Sequence, residues 1–395
     1  MSPQTLVSAL TRLNPGGQDY ALQFVELLLP AARASGASDV HLQPTADQLE
    51  IRWRIDGVLQ PVGSFPRGKV ADVVARLKVL CGLLTYRNDV PQEGRLREGN
   101  SEVEMRISTF PTLFGERAVI RLFSSPQQFL YPADLELPAE IEQSLDRALA
   151  ETSGAIIISG PAGSGKTTTI YACLRHLVQA GLGKSIVTLE DPIEAALPGV
   201  AQSQVNSAAG FDLPLGLRSI LRQDPEVIAV GEIRDRETAE IVFQAALTGH
   251  LVLTTFHAGS VATALGRLVD LGIEPYLLRS GIRALLSQRL VRRLCACAVP
   301  ATTHEELLSL NVATAKVARG CEACRQTGYL GRLALAEVLP TLEGELATAL
   351  LARQDARVLE TLALQAGLVS LWQRAIEAVE SGKTSPAEIR RVLGF

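Results

Sequence analysis

Cysteine, tryptophan and methionine are scarce: six, two and two in 395 residues. Six cysteines in a chain of this length read as thiols or metal ligands, not as a disulfide scaffold. No uninterrupted apolar run approaches the roughly 18 residues of a membrane-spanning helix, so direct membrane insertion is not expected. The first residues lack the basic start and apolar core of a signal peptide, which predicts a cytoplasmic protein. Neither sign of charge is in excess. The 38 Lys+Arg and 42 Asp+Glu leave a net charge of −4, which gives no general pull toward nucleic acid or anionic lipid. The remainder, 47% hydrophobic and 20% charged, is ordinary globular composition, enough for two or three domains of roughly 150 residues each.

The strongest signal is the stretch Gly160-Pro161-Ala162-Gly163-Ser164-Gly165-Lys166-Thr167. It follows the apolar run Ala155 to Ile158, which reads as a buried strand, and Thr168 leads into a helix reaching Ala180. Strand, glycine-rich loop and helix in that order make a credible P-loop. The glycines let backbone N–H groups surround phosphate oxygens, and the helix N-terminus adds its positive end. Lys166 adds a charge and the Thr167 hydroxyl can hold Mg²⁺. ATP or a related nucleotide is the expected ligand of residues 160–168.

Upstream, Asp19 to Ser35 predicts a helix interrupted by Pro30, within an N-terminal helical segment of residues 1–35. Gln48 to Asp56 alternates, with Leu49, Ile51, Trp53 and Ile55 on one face and Arg52 and Arg54 on the other; Asp56-Gly57 marks a hairpin turn. Strands at Val103 to Ser108 and Arg117 to Leu122 put Arg106, Arg117 and Arg121 among outward positions. Residues 36–123 thus read as a first α/β domain and 124–138, with three prolines, as a linker. The arginines admit two readings: a solvated sheet face, or a face that meets an anion such as nucleotide phosphate.

From Ala139 helices alternate with buried strands, the pattern of a largely parallel sheet. Ser185 to Leu189 ends at Glu190-Asp191, Val227 to Val230 at Gly231-Glu232, and Leu251 to Phe256 at His257. In open α/β sheets ligands lie beyond the carboxyl ends of strands, so Lys166, Glu190, Glu232 and His257 are expected in one catalytic site. Glu232, ending an apolar strand, suits the positioning of a water for attack on phosphate. The metal-binding Asp usual on such a strand is missing, and Glu190 or Asp191 is placed to hold Mg²⁺ through a water. His257 is placed to touch the γ-phosphate; a satisfied core histidine at a strand end is the other reading. His250 reads as structural.

Cys295-Ala-Cys297 and Cys321-Glu-Ala-Cys324 form two close pairs. Four thiolates suit a tetrahedral, structural Zn²⁺, with four unligated thiols as the alternative. The basic run Arg289, Arg292 and Arg293 has no interleaved aromatics for base stacking and reads as a solvated or intersubunit helix face.

Taken in order, several words resemble those of the secretion ATPases of type II secretion and type IV pilus assembly. They are Ser38-Asp-Val-His-Leu-Gln-Pro44, Arg52-Trp-Arg-Ile-Asp-Gly-Val-Leu59, Pro91-Gln-Glu-Gly-Arg95 and Gly115-Glu-Arg-Ala-Val-Ile-Arg-Leu122. The P-loop comes next, then Thr188-Leu-Glu-Asp-Pro-Ile-Glu194, the stretch Leu221 to Asp235, and Thr248 to Ala258. The resemblance implies a PAS-like α/β domain (36–123), a RecA-like P-loop ATPase core (139–294), a tetracysteine zinc subdomain (295–328) and a mainly helical region (329–395). It further implies a homo-hexameric ring with ATP between the domains, Glu232 as catalytic carboxylate, and peripheral work at the inner membrane through a platform protein. Arginines complete the pocket in such rings; Arg54, Arg117, Arg218 and Arg222 are the candidates. Leu215 stands where the family often has an arginine. The first pair of cysteines is CxC where CxxC is expected.

Residues 1–37 alone precede the Ser38 motif, so a short form without the additional docking domain is expected. The function implied is an ATPase motor that assembles pilins or pseudopilins in secretion, pilus or competence systems. The alternatives are a pilus retraction ATPase and a nucleotide-switched scaffold with little turnover.

Overall fold

The computed structural model describes residues 3–68, 72–97, 104–122, 130–181 and 183–394. The expected first-domain boundary at 123, the start of the strand at Val103, and the linker as far as residue 129 lie outside these. Two compact units divide the chain, residues 1–125 and 126–395. Among the described residues no helix is long and apolar enough to cross a membrane.

The first unit has helices α1 (Pro3–Thr11), α2 (Tyr20–Ala34) and α3 (Val73–Leu80). Its strands are β1 (Asp39–Pro44), β2 (Gln48–Ile55), β3 (Val58–Pro66), β4 (Gln92–Arg97), β5 (Glu104–Thr112) and β6 (Gly115–Leu122). They form one antiparallel sheet in the order β3-β2-β1-β6-β5-β4. The alternation in β2 works as the side-chain period of 2 requires: Leu49, Ile51 and Trp53 are buried against Phe24, Leu28 and Leu77 of the helices. Asp56 and Gly57 both take positive φ, 48° and 79°, the conformation of a tight hairpin turn that matches strand twist.

The opposite sheet face is rich in arginine. Register sets Arg54, Asp39, Arg121, Arg106 and Arg95 in one row across five strands. Asp39 serves both its neighbours: Arg121 Nε donates at 3.1 Å and Arg54 Nε lies at 3.5 Å. Arg117 Nη2 donates to His41 Nδ1 at 3.1 Å, so His41 keeps its proton on Nε2. Burial first, then the Arg117 charge, hold the His41 pKa below its ordinary value.

The second unit begins with α4 (Ala139–Ala150), β7 (Gly154–Ser159), α5 (Lys166–Gln179), β8 (Ile186–Glu190) and β9 (Ala201–Gln204). Then come α6 (Leu213–Ile220), β10 (Val227–Val230), α7 (Arg236–Leu247), β11 (Leu251–Phe256), α8 (Val261–Asp270) and α9 (Pro275–Gly281). The long β12 (Ile282–Leu294), the short β13 (Val299–Pro300) and β14 (Lys316–Val317), and β15 (Tyr329–Leu339) follow. Helices α10 (Gly344–Leu351), α11 (Ala356–Gln365), α12 (Leu371–Glu380) and α13 (Pro386–Leu393) close it. Seven strands make one sheet, β15-β12-β7-β11-β10-β8-β9. All neighbours are parallel except β12 and β15. β7, β10 and β11 are buried along their whole length, as strands covered by helices on both faces must be.

Two features depart from the sequence reading. Arg289, Arg292 and Arg293 lie on a strand and not on a helix face: β12 runs between two partners, and its arginines are taken up by acceptors distant in sequence, the Gly259 carbonyl, Glu388 and Glu136. Tyr329–Leu339 falls in the mainly helical region of the sequence division, yet it pairs with β12 and extends the sheet. Its alternation is blurred because both faces of its second half are buried.

Candidate nucleotide site and cysteine cluster

The four parallel strands β7, β8, β10 and β11 end at the same edge of the sheet, and the ends of β8, β10 and β11 with the start of α5 line a cavity of about 160 Å³. Lys166, Thr167, Asp191, Glu232, Arg234 and Thr255 line it. Lys166 and Thr167, the last two residues of the P-loop motif, supply one wall. Gly160, Gly163 and Gly165 take φ of 152°, 73° and 91°, which side-chain-bearing residues resist. A Cβ at Gly160 would meet Ser164 Oγ at 2.4 Å and the Gln288 carbonyl at 2.6 Å. Pro161, Ala162 and Gly163 are exposed and Ser164 is buried; Thr168 follows on the first turn of α5. Lys166 Nζ donates to the carbonyls of Gly160 (2.9 Å) and Pro161 (3.1 Å). Burial, against the opposing pull of Glu232, and then the Arg289 charge set the Lys166 pKa below its usual value. A loop of this shape at a helix N-terminus fits polyphosphate.

Glu232 and His257 arrive together. His257 Nε2 lies 3.1 Å from Glu232 Oε1. On the other side Arg234 reaches both Glu232 Oε2 and Asp191 Oδ2 at 3.6 Å, a link that the sequence reading did not assign. Thr255 fixes the turn before Glu232 by donating to the Gly231 carbonyl at 2.7 Å. A carboxylate ending one strand with an imidazole ending the next, and an ammonium on the same cavity as the carboxylate, can orient a water and spread negative charge.

Glu190 is tied firmly into the fold. It lines the cavity wall but is buried, and three donors occupy its carboxylate: the Tyr171 hydroxyl, the Thr188 hydroxyl at 2.6 Å and Gln202 Nε2 at 3.1 Å. Burial, then the bond to Glu190, raise the Tyr171 pKa. Glu190 thus ties α5, β8 and β9 together at the cavity wall, and Asp191 stands half exposed at the same strand end. Arg218 and Arg222 do not line the cavity. Arg218 pairs with Glu237 on α7, and Arg222 Nη2 reaches Ser219 Oγ at 3.5 Å. Leu215 is exposed nearby on α6. Arg54 and Arg117 belong to the first unit. His250 Nδ1 lies 3.1 Å from the Ala245 carbonyl, a structural contact.

Gln288 escaped the sequence reading. It is 1% exposed on β12; its Nε2 donates to the Ser164 carbonyl at 2.8 Å and its Oε1 accepts from the Thr169 hydroxyl at 3.1 Å. It forms the floor of the P-loop. Nothing in the local sequence marks it, since it comes from a strand more than a hundred residues away.

The four cysteines form the second constellation. Cys295–Cys321 and Cys297–Cys324 sulfurs are 3.8 Å apart and Cys321–Cys324 sulfurs 3.6 Å; all four lie within 4.8 Å of one another. A tetrahedral ion about 2.3 Å from each sulfur sets the edges at about 3.8 Å, whereas a disulfide needs about 2.05 Å. Cys324 Sγ also accepts from the N–H groups of Cys321 (3.1 Å) and Gly328 (3.2 Å). Burial works to raise this thiol, but those two N–H groups bring it down to about 6. The cluster fits zinc, and both sulfurs of the CxC pair belong to it.

A strand–P-loop–helix unit whose neighbouring strands deliver a carboxylate and a histidine to the same edge defines a P-loop nucleotide hydrolase. A family model described as "Type II/IV secretion system protein" matches residues 17–391. The chain belongs to that family, one of secretion and pilus ATPases. It is 39% identical over 389 residues to a putative type II secretion system protein E of Escherichia coli K12, covering 96% of this chain and 78% of the relative. Against the type IV pilus assembly ATPase PilB of Thermus thermophilus it is 37% identical over 383 residues, covering 94% and 43%. It thus spans less than half the length of that relative. The X-ray structure of the Legionella pneumophila ATPase DotB matches with a TM-score of 0.68 at 22% identity, covering 93% of this chain and 94% of that one; this likeness is one of fold.

Proposed function

We propose that this chain is the ATP-hydrolysing motor of a machine that assembles pilins or pseudopilins. It works as a homo-hexamer docked on an inner-membrane platform protein, without nucleic acid and without entering the bilayer itself. The contact between Glu232 and His257, with Glu232 and Lys166 lining one cavity, carries this reading. The P-loop residues 160–168 hold the triphosphate, Glu232 orients the attacking water, and His257 reads the γ-phosphate. Thr167 and Asp191 are the residues that would hold Mg²⁺, which supplies charge neutralisation at the phosphates. Cys295, Cys297, Cys321 and Cys324 hold a structural zinc. Arg54, Arg117, Arg218 and Arg222 remain candidates for completing the site in a ring, and Arg218 must first leave Glu237.

Steady-state phosphate release from the purified full chain tests the reading. The wild type hydrolyses ATP, and Glu232→Gln lowers kcat at least about 100-fold while nucleotide still binds, the range of a lost general base. Undiminished hydrolysis in that variant overturns the role of Glu232. Nucleotide binding with no hydrolysis in the wild type points instead to a nucleotide-switched scaffold.

A further inference from the structure

The segment after His257 is gripped from both sides by residues that the proposed chemistry does not use. Glu337 on β15 is 4% exposed. Its Oε1 accepts from the Val261 N–H at 2.7 Å and its Oε2 from the Leu371 N–H at 2.8 Å. Val261 opens α8, four residues after His257, and Leu371 opens α12. The two helices start alike. Ser260 caps one by accepting from the Thr263 N–H and Ser370 caps the other by accepting from the Gln373 N–H, both at 3.2 Å. First-turn N–H groups have no acceptor within their own helix, so in each case the first one is left for Glu337. Two positive helix ends meeting one carboxylate also account for a charge buried so deeply.

Arg289 on the neighbouring β12 takes the other side. Its Nη2 donates to the Gly259 carbonyl at 2.9 Å and its Nη1 to the Gln288 carbonyl at 3.3 Å. The loop 257–261 is thus held by its carbonyl from Arg289 and by its N–H from Glu337. The residue before Arg289 is the one that supports the P-loop.

We propose that Glu337 and Arg289 are positioning residues for His257, and that Glu337 makes the histidine loop and helix α12 move as one when nucleotide binds. This rests on the nucleotide reading of the P-loop. A displacement of residues 257–261 cannot leave α12 in place without breaking one of two short bonds to a buried charge. The nucleotide site therefore has a direct line into the C-terminal helices, within one chain and without a change of sheet register.

Hydrogen–deuterium exchange on the full chain, with and without a non-hydrolysable ATP analogue and Mg²⁺, tests this. In the wild type the analogue slows exchange in 160–168, in 258–262 and in 371–375. In Glu337→Gln, where an amide –NH₂ replaces one acceptor, 160–168 is still protected while 371–375 no longer responds. In that variant kcat falls about tenfold with the KM for ATP within about twofold, the scale of one hydrogen bond to a charged group. Arg289→Lys, which keeps the charge and loses the fork, lowers kcat in the same way and leaves 371–375 responsive. Protection of 160–168 with no response at 371–375 in the wild type, a comparison that needs no variant to fold, overturns the inference. So does a response at 371–375 that survives Glu337→Gln. An unchanged 160–168 refutes the nucleotide reading itself, and the inference with it.

Discussion

Glu190 and Asp191 are neighbours in sequence with opposite fates, and the difference lies in who donates to them. Glu190 faces three donors, one of which, Gln202, is fixed because its Oε1 accepts from the Leu197 N–H at 2.7 Å and its Nε2 also serves the Ala195 carbonyl. Glu190→Gln puts a fourth donor among them and should lower unfolding stability by about 1–3 kcal/mol. Asp191→Asn should leave stability within about 0.5 kcal/mol and instead raise the Mg²⁺ concentration needed for half-maximal phosphate release. Paired denaturation and Mg²⁺ titrations on the two variants check this; equal Mg²⁺ dependence for wild type and Asp191→Asn returns the metal role to Glu190. The sequence did reveal that Glu190, Glu232 and His257 end strands at one edge, because apolar runs terminated by polar residues are a local signal. It did not reveal that three donors converge on the Glu190 carboxylate, since the groups at 171, 188 and 202 meet only in the folded sheet. Gln288 was hidden for the same reason.

At the scale of elements, α13 is moored to β12 through one carboxylate. Glu388 is 0% exposed; it accepts from the Arg292 N–H and Nε at 2.9 Å, from Arg292 Nη2 at 2.7 Å and from Arg391 Nε at 2.8 Å. The Arg292 guanidinium stacks on Tyr329, 3.9 Å from the ring centre. Burial works against the charge, but the bonds from Arg391 and Arg292 outweigh it and hold Glu388 below the ordinary carboxylate pKa. The sign follows. The unfolded chain takes up this proton more readily, so the stabilisation is complete above the unfolded carboxylate pKa of about 4.3 and is lost as pH falls through the lower folded value. Glu388→Gln should therefore lower the melting temperature at pH 7 and flatten its fall below about pH 4.5; an acid limb as steep as in the wild type would contradict it. The arginines of β12 were visible in the sequence as a basic run. Their partners were not, because Glu388 lies close to the far end of the chain.

For the whole molecule, the two units differ in how far local sequence specifies them. The alternation in β2 and the Asp56-Gly57 turn spell out the first unit locally. The second unit's sheet is stated by strand–helix alternation, except where β15 returns after the cysteine cluster to pair with β12. That cluster leads to a prediction of its own. Elemental analysis should find about one zinc per chain, the load of a four-thiolate site. A strong chelator should lower the melting temperature by about 5 °C or more, given what metal binding contributes to such sites. A metal-free protein with an unchanged melt retires the site.

Strand β12 runs from the floor of the P-loop at Gln288 to the first cysteine pair just past Leu294, about 20 Å at the rise of an extended chain. An extended strand has almost no stretch to give. Pairing with β15 stays in register from Leu285 to Arg292, so one residue gained or lost between Gln288 and Arg292 would turn Arg292 away from Glu388 or lift Gln288 from the loop. Between Gln288 and Arg292 the count of residues is set: this stretch is the spacer that keeps the phosphate end and the sulfur end of the molecule in step.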